Sequence, residues 1–239
     1  MRIFKMLASV SALCTTATSQ YTATKFYDRA SGITWSHITH SNGVTYRVAL
    51  PLTSNSSDAI LQVIVPNKFA WCGLAWGGHM TNNPLSVHWN TNATTGLKAL
   101  VSSRMAFGYY ATPQPYDGAE YTYLKGTTSN STHWQVTSRC QGCTRWSSSD
   151  GDYAIDSQDE TQLAYACSSV PPDKPTSNTS TFNVHEQFGT WIHDLKIAKN
   201  ASFANHIKNN PYKGNLRRNE GEVMEGMEEV EMMPREWRA

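Results

Sequence analysis

Val44, Tyr46, Val48 and Leu50 alternate with Thr45, Arg47 and Ala49, the two-residue period of a strand with one buried face. Ala59 to Val65 is a short apolar run stopped by Pro66. Trp71 to Trp76, Gln135 to Arg139 and Thr161 to Cys167 read as further strands. Turn-forming clusters separate them, among them Ser41-Asn42-Gly43 and Pro115-Tyr116-Asp117-Gly118. Before about residue 186 no stretch carries helical periodicity. Many short antiparallel strands with frequent turns predict an all-β chain folded as a β-sandwich.

The first nineteen residues have the pattern of a secretory signal. Arg2 and Lys5 precede the apolar run Met6 to Leu13, and the small residues Ala17-Thr18-Ser19 follow. Cleavage after Ser19 would expose Gln20 and remove Cys14. The expected protein is secreted and extracellular, with Cys72, Cys140, Cys143 and Cys167 remaining. Asn-x-Ser/Thr acceptors for glycosylation stand at Asn55, Asn92, Asn130, Asn178 and Asn200. A formal net charge of +1 gives no electrostatic case for nucleic acid or an anionic membrane as partner. A monomer is expected.

Cys140 and Cys143 form a Cys-x-x-Cys pair. Covalent haem attachment would need His after the second cysteine, where Thr144 stands. Zinc would need a second ligand pair at finger spacing, and none follows. A redox dithiol would need a βαβ setting. In a secreted chain the favoured reading is a short structural disulfide. Cys72 and Cys167 lie in strands and are expected to be buried, as free thiols or as a second bridge.

From Lys196 the character changes. Lys196, Lys199, Lys208, Lys213, Arg217 and Arg218 come with no acidic residue between them, and a Glu- and Met-rich stretch runs from Glu220 to Ala239. Such blocks predict a disordered, charged tail over 196–239, contributing nothing to a domain spanning 20–195.

Within that domain, Ser131-Thr132-His133-Trp134 leading into Arg139-Cys140-Gln141-Gly142-Cys143-Thr144-Arg145-Trp146 resembles the cytochrome domain of fungal cellobiose dehydrogenases. Lys25-Phe26-Tyr27-Asp28, Gly43-Val44-Thr45-Tyr46, Gly77-Gly78-His79-Met80, Gly108-Tyr109, Ser180-Thr181-Phe182-Asn183-Val184-His185 and Phe188-Gly189 follow the same family's order. The resemblance covers roughly residues 20–192 and implies an immunoglobulin-like sandwich holding one non-covalent haem b. Met80 and His185 fall where the family has its axial iron ligands. Tyr109 falls where it has a tyrosine beside a haem propionate, and Cys140 and Cys143 fall on its disulfide. Thioether plus imidazole fills both axial positions and raises the potential, the ligation of an electron carrier.

Two local features favour Met80 over its neighbour His79. Gly77-Gly78 permits close backbone approach to a flat cofactor, and Cys72, Leu74 and Trp76 share a strand face that would supply an apolar wall. His79, His88, His133, His193 and Met105 compete for ligand roles on residue type alone. The chain contains no Gly-x-Gly-x-x-Gly dinucleotide turn. The expectation is therefore a stand-alone cytochrome without a catalytic residue of its own. It would pass single electrons between an extracellular flavin dehydrogenase and an acceptor such as a copper polysaccharide monooxygenase. The alternative is a haem-free carbohydrate-binding sandwich that stacks Trp35, Trp71, Trp76, Trp89, Trp134 or Trp146 on sugar rings. A copper monooxygenase is disfavoured, because those enzymes use an N-terminal His and cleavage here exposes Gln20.

Overall fold

The computed structural model describes residues 23–53, 56–148, 151–155 and 160–214. The signal segment, the Asn55 acceptor and the acidic stretch from Glu220 lie outside these residues. The strands are β1 (Thr24–Asp28), β2 (Ile33–Thr39), β3 (Thr45–Pro51), β4 (Asp58–Pro66), β5 (Trp71–Ala75), β6 (Leu85–Asn90), β7 (Ala99–Met105), β8 (Gln114–Pro115), β9 (Glu120–Tyr123), β10 (Thr128–Ser129), β11 (His133–Gln141), β12 (Arg145–Ser148), β13 (Gly151–Ala154), β14 (Glu160–Ser168), β15 (Gln187–Asp194) and β16 (Lys199–Asn200). A short 3-10 turn spans Lys196–Ala198 and an α-helix, α1, spans Phe203–Asn209.

Two sheets face each other. The first runs β1-β2-β3-β4-β11-β10, with β9 beside β11 and β16 beside β3, and the second runs β15-β14-β5-β6-β7-β8. Every pairing within them is antiparallel apart from the β16–β3 contact. The β-sandwich is therefore as the strand periodicity predicts. Period-2 alternation assigns the faces. Tyr46, Val48, Leu61, Val63, Trp134 and Val136 of the first sheet meet Cys72, Leu74, Trp76, Leu163 and Trp191 of the second in the central core. Cys72 and Cys167 are direct cross-strand partners on β5 and β14, their Cα atoms 4.1 Å apart, and form a disulfide. Cys140 and Cys143 form the other. The second bridge left open by the sequence thus exists, and it closes a loop spanning 95 residues.

The predicted boundary at 195 is too early. Residues 196–214 fold against the outside of the first sheet, where Phe203 and Ile207 pack with Ile33, Trp35, Ala49, Ile60 and Leu124. The side-chain amide of Asn200 donates to the carbonyls of Thr34 and Ala198, and that of Asn210 to Ser31 and His206. Charge blocks obscured this because two apolar residues, at i and i+4 of a short helix, suffice to cover one patch. A chain ended at Leu195 is expected to lose about 3 kcal/mol or more, the contribution of one buried aromatic and its neighbours. Its Tm should fall by roughly 6–12 °C. Calorimetry giving the full-chain Tm would refute the packing role of α1.

Of the acceptors, Asn200 is 8 % exposed, with its amide nitrogen donating to the carbonyls of Thr34 and Ala198. Asn92, Asn130 and Asn178 are exposed on loops. In the Asn130 acceptor the Thr132 hydroxyl donates to the Asn130 side-chain carbonyl at 3.0 Å.

Candidate functional site

The outer face of the second sheet is apolar although no further sheet covers it among the described residues. Trp71, Ala75, Leu85, Val87, Trp89, Leu100 and Ala106 form a second cluster there, joined by Met80, Ala164, Ala166 and Phe182. Pairing across β14, β5, β6 and β7 aligns Ala166, Gly73, Val87 and Ser102 in one row. Ala164, Ala75, Leu85 and Arg104 make the next. Where β14 meets β5 the face is thus floored by small residues, Ala164, Ala166, Gly73 and Ala75, with Leu85 and Val87 next to them on β6. Towards β15 it stays uncovered. Phe188, opposite Ala166, is 73 % exposed, and Ile192, opposite Gln162, is 50 % exposed. An uncovered apolar strip of this kind marks a binding surface.

Met80 and His185 stand at opposite ends of that strip. β5 runs from Trp71 to Ala75 and leads into the turn that carries Met80. His185 immediately precedes β15, whose first residue Gln187 pairs with Cys167, itself opposite Cys72. Between the two ends lie the Gly73 and Ala75 rows, about 7 Å along the strand at the usual rise.

The Met80 turn is held from inside by buried Asn83. Its side-chain carbonyl accepts from the Gly77 amide at 3.0 Å, and its amide nitrogen donates to the carbonyls of His79 and Thr81. Met80 is half-buried and packs on the apolar cluster. His79 is exposed, its Nδ1 within 2.7 Å of the Gly77 carbonyl in its own turn. The turn therefore places the thioether on the face and turns the imidazole towards solvent.

Two arguments from sequence need correcting here. Cys72, Leu74 and Trp76 face the central core, so the wall beside Met80 is made by the other phase of β5, Trp71, Gly73 and Ala75. The glycines of the turn serve protein packing. Gly78 has φ +76°, and a Cβ there would come within 2.8 Å of the Gln162 carbonyl oxygen; at Gly77 it would meet Asn83 at 2.9 Å.

His185 is half-buried, with its ring centroid 4.9 Å from that of Phe188. Its Nδ1 is buried without a hydrogen-bond partner. Burial lowers its pKa, favouring the neutral imidazole. The competing residues are placed elsewhere. His88 lies in the interior with Nδ1 3.3 Å from the Cys72 carbonyl, and His193 accepts from the Trp191 indole at 3.0 Å. His133 sits beside the exposed Thr132 hydroxyl, and Met105 is buried in β7. Tyr109 is exposed near the tip of the loop following β7. That loop lies against the Met80 turn through the Thr81–Ala106 bridge and the Asn82 amide, which donates to the Ala106 carbonyl.

The six tryptophans considered as sugar platforms, Trp35, Trp71, Trp76, Trp89, Trp134 and Trp146, are all buried. Four of their indoles are fixed within the protein, on Ser86, Pro175, Phe69 and Asn82.

Residues 26–205 match the family model of the cytochrome domain of cellobiose dehydrogenase. The chain belongs to this family. The match runs past Leu195 into α1, in keeping with the packed segment. The cytochrome domain of Myriococcum thermophilum cellobiose dehydrogenase has the same fold, with a TM-score of 0.70 at 27 % identity, over 81 % of this chain and 98 % of that one. The cytochrome b domain of pyranose dehydrogenase from Coprinopsis cinerea superposes with a TM-score of 0.68 at 25 % identity, over 78 % and 95 % of the two chains. A curated relative, the pyrroloquinoline quinone-dependent pyranose dehydrogenase of Coprinopsis cinerea, is 26 % identical over 86 % of this chain. The chain spans 28 % of that protein's length.

The residues of this family member fit a flat, largely apolar macrocycle. An apolar face, uncovered on its β15 side where Phe188 and Ile192 are exposed, lies between a thioether packed on it and an imidazole whose Nδ1 is buried without a hydrogen-bond partner. Both donors are of the type that ligates haem iron.

Proposed function

We propose that this cytochrome domain carries single electrons on one non-covalent haem b, which Met80 and His185 would hold through its iron on the outer face of the β14–β5–β6 sheet. The observation that supports the reading is that Met80 and His185 lie towards opposite ends of an apolar face whose β15 side is uncovered. When bound, the iron of such a group alternates between ferric and ferrous states and so accepts and donates one electron at a time. Asn83 fixes the turn that presents Met80. Start-of-strand pairing at β15 fixes the backbone after His185. Tyr109, on the loop beside Met80, is assigned to a propionate.

Were Met80 and His185 both to bind the iron, they would leave it no position for oxygen or substrate, so no residue is assigned a catalytic role. The relatives named above belong to sugar dehydrogenases. A flavin- or quinone-dependent sugar dehydrogenase is accordingly the proposed electron source, and a copper polysaccharide monooxygenase the proposed acceptor. The amino-terminal pattern, the disulfides and the exposed glycosylation acceptors support secretion and extracellular work.

Protein purified from haem-sufficient cells is expected to be red, with a six-coordinate low-spin spectrum that changes on reduction. Acid acetone should extract the haem. A colourless preparation, or haem that stays with the polypeptide, would overturn the proposal.

A further inference from the structure

Arg104 on β7 is 2 % exposed and lies at the end of the Ala164–Ala75–Leu85 row. Its Nε donates to the Ser102 hydroxyl at 2.6 Å and its Nη1 to the Pro113 carbonyl at 3.2 Å. Nη2 donates to the carbonyls of Asn178 and Ser180, at 3.1 and 2.6 Å. The guanidinium carbon stands 5.4 Å from the centre of the Phe182 ring, which packs edge-on against Trp71. Ser102, the acceptor of the Nε bond, itself donates to the Asn178 carbonyl.

These partners belong to two different segments. Pro113 ends the loop that carries Tyr109. Asn178, Ser180 and Phe182 belong to the segment that leads to His185. One planar fork spans both, a geometry that an ammonium group cannot copy. None of the partners of Arg104 among the described residues is a carboxylate; they are one hydroxyl and three carbonyls. Burying a cation without a counter-ion is costly. Neutral amides could satisfy carbonyls at lower cost, so the retained charge calls for a further role.

We infer that Arg104 is a positioning residue of the haem face. It fastens the segment ending in His185 to the loop bearing Tyr109, and it places a buried positive charge on the face that disfavours oxidation of a bound iron. The inference rests on the haem reading above, but its first half can be tested without haem.

Hydrogen exchange on haem-free protein reads the clamp, and the midpoint potential of haem-loaded protein reads the charge. Arg104→Met is expected to speed amide exchange across residues 173–184 by about tenfold or more, the loss of charge-assisted bonds, and to lower the potential. Arg104→Lys keeps the charge and loses the fork. It should speed exchange nearly as much while leaving the potential close to that of the parent. Ser102→Ala removes the Nε acceptor and the hydroxyl's own bond to Asn178 but keeps the charge, so it should speed exchange severalfold and not move the potential; it carries the test if the Arg104 variants fail to fold.

Unchanged exchange in the folded variants overturns the clamp. A potential unmoved in Arg104→Met, or lowered equally in Arg104→Lys, overturns the charge. If the parent chain takes up no haem, the haem reading fails, and exchange still decides the clamp.

Discussion

His185→Ala is expected to leave a folded protein that loses its haem during purification, with retained haem reduced about tenfold or more. Imidazole is the stronger of the two proposed iron donors, and thioether alone anchors poorly. Met80→His should behave differently. Two imidazoles keep the iron low-spin but stabilise its ferric form, so haem is retained and the midpoint potential falls. His79→Ala should leave spectrum and potential unchanged, because that ring is exposed and bonded within its own turn. Absorption spectra, haem content per chain and redox titration of these three variants, with Met80→Ala as a fourth, decide the matter. A low-spin spectrum lost in His79→Ala but kept in Met80→Ala would move the ligand one residue along the turn and make the ligation bis-histidine.

The difference between His79 and Met80 is the point at which sequence reasoning came closest and went least far. Strand alternation says that neighbours point to opposite sides, but it does not say which side carries the strip. β5 has two buried faces. Cys72 and Leu74 fill the central core, while Trp71, Gly73 and Ala75 floor the outer face. A strand buried on both sides reads as a continuous apolar run, so its phase cannot be taken from hydropathy. Register with β14 and β6 supplies the missing information, because it lines Gly73 and Ala75 up with Ala166, Ala164, Val87 and Leu85.

The strands themselves were more legible. The alternation over Val44 to Leu50 corresponds to β3, and the runs Ala59–Val65 and Thr161–Cys167 correspond to β4 and β14 within a residue or so. The Asn42-Gly43 turn is as its residues require, with Gly43 at φ +91° and the Asn42 side chain accepting from the Val44 amide. Arg104 gave no such signal. A single arginine in a strand looks like a solvent-facing residue, and only the return of residues 173–182 across the sheet brings Asn178 and Ser180 to it. The packed segment 196–214 escaped for the same reason. Its value lies in the patch of the first sheet that it meets, which local composition does not record.

The two-layer construction also has an acid liability, from which the largest stability effect is expected. Burial holds the pKa of His88 at about 3 and those of His40 and His193 at about 4. His88 and His193 each keep Nε2 buried without a hydrogen-bond partner. His40 and His193 share one aromatic cluster with Trp191, in which each lies against the indole. For His193 the nearby Asp194 charge opposes the desolvation, and protonation of His40 would add to it. All three folded-state values lie below the usual value of 6.5. The unfolded chain therefore takes up these protons first as the pH drops. Their contribution is fully present above about pH 6.5 and is lost progressively as pH falls towards 4 and then 3. For fully buried His88 alone the loss approaches about 4 kcal/mol at the low end, a large share of the usual ~5–15 kcal/mol of a domain. Thermal melts are expected to show Tm falling steeply between pH 6 and pH 4. His88→Met, which cannot take up a proton, should flatten part of that fall. A Tm that holds level down to pH 4, or a His88→Met protein that keeps the full pH dependence, would show that these imidazoles do not set acid stability.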